Sequence, residues 1–358
     1  MVEGYLTCLE MGHADILQSM FQEDFFIFLA SLSAFLSSLV VLTGLIWPGI
    51  MLSKCKPFST IIFFISFADC CGSIINCLGF PQNGSSICSI QACAALYFAP
   101  ASWLWSLVLV YQLRTLIIFK SIQLSMKWTH FICWSIPLLP TLLPLTTNSY
   151  GQDDSINGSI PCVLGGDRTT KFIWIGATNV GIAFLSFVFM VIWTIQIHLH
   201  ISNCNHDSYR EQKLLNSMIF YPVALFVTWF PNCVCVLLIN ARTIDYGSNF
   251  PYIVFCLSSQ YGTLLAIIFF SGSSVSRMLW LNLLRRICLK LLRVFGSRDS
   301  MASSSRLSMM VEDEKLIDVE CLESMENLLV LHAMEGESNR LRNSTIELRE
   351  SSVINIIM

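Results

Sequence analysis

Asp69 stands apart: no other acidic residue lies inside any long apolar stretch of this chain. An ionisable group at such depth is expensive, faces the interior of a helix bundle and marks a functional site by default. Near Asn76, Asn232 or Gln260 it would act as a water- or sodium-linked switch between two conformations, or as a protonated structural hydrogen-bonder. A second group is Tyr221, Pro222, Trp229 and Pro231. Proline removes a helical hydrogen bond and kinks the helix. A kinked helix can swing one end, with Trp229 as the packed side chain that senses the movement; the alternative is an ordinary core or lipid-facing aromatic. Arg168, Lys171 and Arg242 are cations able to meet a phosphate. Tyr97, Trp103, Trp174, Tyr252 and Tyr261 supply rings for a base to stack on. Asp153, Asp154 and Asp167 would oppose an anion, and solvated loop charge is the competing reading. Metal ligands must converge, yet no His lies between His206 and His332. No metal site, cofactor or catalytic group is expected.

The elements that position these residues follow from composition. Of the 358 residues, 54% are hydrophobic and 13% charged, with mean hydropathy +0.63. Soluble chains carry about 25% charge, so lipid is the solvent for much of this one, and a soluble enzyme, a disordered chain and a nucleic-acid binder are excluded. A spanning helix needs about 20 apolar residues. Seven stretches qualify: 25–52, 58–80, 89–119, 128–147, 172–197, 214–239 and 252–273. The fourth is diluted by His130 and by Pro137, Pro140 and Pro144. The fold expected is an all-α membrane protein, a seven-transmembrane bundle over 25–273 preceded by an extracellular N-terminus, 1–24. A signal peptide is not expected, because 1–24 holds no Lys or Arg.

Orientation follows from the basic residues. With the N-terminus outside, thirteen Lys and Arg fall on inner segments, and only Arg168, Lys171 and Arg242 outside. Asn157 and Asn83 head sequons in loops that are then extracellular, and both are glycosylation candidates. Cys88 and Cys162 both face the oxidising side, where a disulfide persists; a bridge would pin the loop after the fourth stretch over the bundle, and two free thiols are the alternative.

Beyond the last stretch, 274–296 has the pattern of a basic amphipathic helix. Leu284, Ile287, Leu291 and Phe295 follow helical spacing beside Arg285, Arg286, Lys290 and Arg293. Such a helix lies in the membrane interface on anionic lipid, and Cys288 is a palmitoylation candidate. Twelve of the 24 acidic residues fall in 299–358. Residues 297–358 therefore read as a flexible cytosolic tail, where Ser300, Ser303, Ser304, Ser305 and Ser308 are phosphorylation candidates.

Four stretches resemble the slime-mould cyclic-AMP receptor-like family of seven-transmembrane G-protein-coupled receptors. They are Ser66-Phe67-Ala68-Asp69; Cys88 followed by Trp103-Leu104-Trp105; Lys213-Leu214-Leu215 continuing through Tyr221-Pro222 to Trp229; and Ser258-Ser259-Gln260-Tyr261-Gly262. Tyr261 interrupts the family's Gln-Gly step, and Pro231 follows Trp229, both departures that bear on the ligand. The resemblance implies a plasma-membrane receptor that passes a small extracellular ligand, cyclic AMP or another, to a heterotrimeric G protein. It also implies a desensitising kinase and an arrestin-like partner at the tail. Asp69, Arg114, Tyr221, Pro222, Trp229, Pro231 and Gln260 would form the activation switch. Arg114 lies about 39 Å of helix inward from Cys88 at ~1.5 Å per residue. There it would touch the G-protein C-terminus, lock the closed state, or serve only as an inner positive charge. A seven-span transporter is the alternative. The absence of an internal repeat argues against it.

Overall fold

The computed structural model describes residues 2–52, 57–119, 125–147, 149–151, 162–164, 174, 180–203, 218–240 and 249–296. The chain divides into two units, Met1–Leu279 and Trp280–Met358. The described residues are mostly helical. Helix α1 runs over Val2–Ile46, α2 over Pro48–Met51, α3 over Pro57–Asn76 and α4 over Ser86–Phe119. Two short helices follow, α5 (Met126–Ser135) and α6 (Leu138–Leu142), and a 3₁₀ turn, Leu143–Thr147. A two-stranded antiparallel ladder pairs β1 (Tyr150–Gly151) with β2 (Val163–Leu164). Then come α7 (Gly181–Asn203), α8 (Phe220–Asn240), α9 (Asn249–Ser259), α10 (Tyr261–Gly272) and α11 (Ser274–Gly296).

Six segments among the described residues are long and apolar enough to cross a membrane: Met20–Ile46, Pro57–Asn76, Ser86–Phe119, Gly181–Asn203, Phe220–Ile239 and Phe250–Gly272. The fourth expected stretch is not among them. Pro137, Pro140 and Pro144 each lack the N–H that would bond four residues back, and the stretch breaks into α5, α6 and the 3₁₀ turn. The first helix also differs from the expected 25–52. It begins at Val2 and stops at Ile46, because Trp47 leaves the helical region and Pro48 starts a new turn.

Helix α4 is central, packing against α3, α7 and α8, while α1 lies against α3 and α10. Trp103, Trp105, Tyr261, Leu109, Leu225 and Ile65 anchor the core. Outward residues such as Phe184, Ile195, Val223 and Ile267 are exposed, the pattern of helices whose outer faces meet hydrocarbon rather than water. The seventh apolar segment is interrupted at Gln260. Its N–H bonds the Leu257 carbonyl at 3.1 Å, a tighter i to i−3 step. Ser258 and Ser259 donate to the Phe255 and Cys256 carbonyls at 2.9 and 2.8 Å, which favours such a bend.

Candidate functional site

Asp69, the one acid within the apolar stretches read from the sequence, is positioned by α3 and met by α1 and α10. Ser73, one turn along α3, donates to Asp69 Oδ2 at 3.4 Å and lies 3.2 Å from the Ser33 hydroxyl of α1. Gly262 of α10 closes the third side. A Cβ there would overlap the Asp69 carboxylate and stand 2.7 Å from Ser33 Oγ. Only a residue without a side chain lets α10 come this close. Asp69 and Trp229 line one cavity of about 50 Å³, together with Ser73, Asn76, Ser102 and Ser258. Of the polar neighbours expected for Asp69, Asn76 lines this cavity, and Gln260 is linked to it through Ser259 at 3.4 Å.

Trp229 of α8 packs edge-on against Trp103 of α4, ring centroids 5.1 Å apart. The Tyr261 hydroxyl lies 3.0 Å from Ser106 Oγ, joining α10 to α4 inside the core. Tyr221 is also buried in that core. Met218 is helical and Ile219 a turn, so the break in this segment falls just ahead of Pro222. Pro222 therefore sits in the first turn of α8, while Pro231 is interior to it. Gln260 anchors the interrupted segment to α1: its Nε2 donates to the Leu29 carbonyl at 2.9 Å, and its Oε1 accepts from Thr263 at 3.0 Å.

At the other end of α4, Arg114 Nε donates to Gln196 Oε1 of α7 at 2.6 Å. Its guanidinium stands 5.3 Å over the Phe119 ring. Among the described residues, a neutral amide and an aromatic face hold this cation.

The opposite end is closed by covalent and polar clamps. Cys88 and Cys162 are disulfide-bonded. Gln91, fully buried on the next turn of α4, accepts the Cys162 N–H at 2.9 Å and donates to the Gly79 carbonyl at 2.8 Å. Glu23 of α1 accepts the Phe80 N–H at 3.0 Å. Tyr150 donates to the Thr141 carbonyl at 2.5 Å, and burial, with Cys93 beside it, pushes this hydroxyl above its ordinary pKa.

The aromatic ligand candidates are not gathered in one pocket. Tyr97 donates to the Trp134 carbonyl at 3.2 Å, Trp174 to Thr147 at 3.2 Å and Tyr252 to the Gln22 carbonyl at 2.9 Å. Only Trp103 and Tyr261 share the core cluster. Arg168, Lys171, Arg242, Asn157 and Ser300, Ser303, Ser304, Ser305 and Ser308 lie outside the described residues. Asn83 is exposed in a turn, and Cys288 is exposed on α11. Sequence reasoning missed Ser33, Ser73, Gln91, Ser102, Ser106, Gln196 and the fit at Gly262. A helical i, i+4 spacing could have flagged only some of them: it relates Asp69 to Ser73 and Ser102 to Ser106.

No family model matches the chain. A 103-residue segment is 29% identical to the protein named Cyclic AMP receptor-like protein A of Dictyostelium discoideum. That segment covers 28% of this chain and 28% of the relative's length.

Proposed function

We propose that this chain is a seven-helix receptor of the plasma membrane, N-terminus outside and tail in the cytosol, that signals from a small extracellular ligand to a heterotrimeric G protein. The joint placement of Asp69, Gly262 and Trp229 carries the reading. Helices α3, α8 and α10 meet at one intramembrane carboxylate, an arrangement suited to a two-state element. The likeness to a protein named as cyclic AMP receptor-like supports cyclic AMP as the first ligand to try.

A cavity of about 50 Å³ is far below the ~300–1,000 Å³ of small-molecule sites. The ligand is therefore assigned to the outer ends of α4, α7, α8 and α9. Arg168, Lys171 and Arg242 would supply cations there, and Tyr97, Trp174 and Tyr252 rings, while Trp103 and Tyr261 stay in the core below. Such a ligand biases the inner end of α8 outward only by binding the open form better. Arg114 would then leave Gln196 and meet the G-protein C-terminus. The 128–147 stretch makes the fourth crossing, and α11 lies in the membrane interface, where Cys288 is acylated. Asn157 and Asn83 carry glycans, and tail phosphorylation recruits a desensitising partner.

The test is G-protein dissociation in cells with verified surface expression. A dose-dependent response to cyclic AMP is expected, and Arg114→Ala and Trp229→Ala should each abolish it. Silence to cyclic AMP and to a panel of nucleotides, amines and peptides, with no basal signal, would overturn the reading.

A further inference from the structure

The last turns of α4 present two different faces to α7. Leu113 and Ile117 are buried against Ile197 and Ile201, an apolar contact that fills the core at this level. Tyr111 and Arg114 stand on another face, one helical turn apart. They meet Trp193 and Gln196, also one turn apart. The Tyr111 and Trp193 ring centroids are 5.2 Å apart, and Arg114 Nε donates to Gln196 Oε1 at 2.6 Å. This second face is an open seam. Tyr111, Arg114, Trp193 and Gln196 are each half-buried, while Phe119, under the guanidinium, is 52% exposed.

Depth and charge together select what binds there. Helix α4 has 34 residues, so its midpoint falls between Ser102 and Trp103. Arg114 is then about 17 Å from the midpoint at ~1.5 Å per residue, just past the ~15 Å half-thickness of a hydrocarbon core. Lipid headgroups begin at this level, and Trp and Tyr side chains favour it. The cation has no counter-ion among the described residues, whose acids all stand on α1 and α3. Gln196 takes one of the five N–H donors of the guanidinium, and the rest of the fork suits an acceptor with two oxygens, such as a phosphate. The Tyr111 hydroxyl and the Trp193 indole N–H make no hydrogen bond among the described residues and add donors on the same face. A zwitterionic headgroup would bring a second cation toward the arginine; an anionic one brings only the charge that is missing.

We propose that the seam between α4 and α7 binds the phosphate of an anionic membrane phospholipid, held by Arg114 with Tyr111 and Trp193 as further donors. The inference rests on the placement of Arg114 at the G-protein side and names its occupant in the resting form. Leu113 and Ile117 stay packed while the lipid is held, because they use the other face of the helix. A G-protein segment reaching Arg114 has to displace the headgroup, so the anionic lipid content of the membrane sets the threshold for coupling.

The experiment is native mass spectrometry of the purified full chain with added phosphatidylserine or phosphatidylcholine. It uses no agonist and no G protein, so a failed receptor assay leaves it readable. The basic residues of α11 also attract anionic lipid, so the background carries Arg285→Gln, Arg286→Gln, Lys290→Gln and Arg293→Gln. In that background one phosphatidylserine should bind more tightly than phosphatidylcholine. Arg114→Gln should weaken it at least about fivefold, the worth of one cation at an anionic surface. Equal binding of the two lipids, or no loss in Arg114→Gln, overturns the site. Millimolar inorganic phosphate should not displace the lipid; displacement assigns the seam to a free anion and overturns the lipid source. A second measurement uses the unaltered chain and needs no variant to fold. Phosphatidylserine with a photoreactive headgroup should crosslink to 111–119 and 193–196, and labelling confined to other segments overturns the proposal.

Discussion

At Gly262 one hydrogen atom separates a close helix contact from a collision. A methyl group there would run into the Asp69 carboxylate and stand 2.7 Å from Ser33 Oγ. Overpacking of this kind costs about 1–3 kcal/mol. Gly262→Ala should therefore lower the thermal stability of the purified chain by that amount. Gly72 is the control, since it lines the same cavity but its added Cβ would meet nothing nearer than Phe98 Cβ at 3.6 Å. Gly72→Ala should be neutral, or stabilising by up to ~1 kcal/mol from helix propensity. Equal losses at both positions would sink the proposed contact. Asp69 was legible in the sequence because a carboxylate is conspicuous in an apolar run. Gly262 was legible only as one glycine in a motif, because nothing local says which distant residue fills the space its side chain would have taken.

The clamp at the Cys88 end is an affair of elements. Gln91 ties α4 to the turn after α3 and to the segment carrying Cys162. Gln91→Leu would leave the Gly79 carbonyl and the Cys162 N–H without this partner, at about 1–3 kcal/mol for each buried group. The expected outcome is a lower melting temperature and faster thiol alkylation of Cys88 and Cys162 under mild reductant; an unchanged alkylation rate would show that the disulfide holds the segment by itself. The cysteine pair was readable from its place beside apolar stretches. The glutamine was not, because a single amide at a helix end has no distinguishing pattern. The three prolines flagged the fourth stretch as irregular, and the chain does break there.

At the scale of the whole molecule, the distribution of Lys and Arg leads to a topology. An N-terminal epitope should be reached by antibody on intact cells and a C-terminal epitope only after permeabilisation. The reverse pattern would overturn the proposed orientation, and with it the placing of Arg114 at the G-protein side. The six long apolar helices stand without that result. Their lengths and outer faces answer to hydrocarbon thickness, whichever end is outside.

The sequence by itself determined where long apolar runs lie, where basic residues cluster, and which single acid falls within those runs. Those properties are local, written in runs of about 20 residues and enforced by the surrounding solvent. Only the tertiary structure decided that Asp69 meets Ser33 and Gly262, that Tyr261 meets Ser106, and that Arg114 rests on the neutral Gln196. It also decided that Tyr97 and Tyr252 spend their hydroxyls on neighbouring helices. Inside a bilayer, lipid is as apolar as the helices, so burial does not direct one face toward another; close packing and interhelical hydrogen bonds do. Those pairings join residues far apart in the chain, and no periodicity records them.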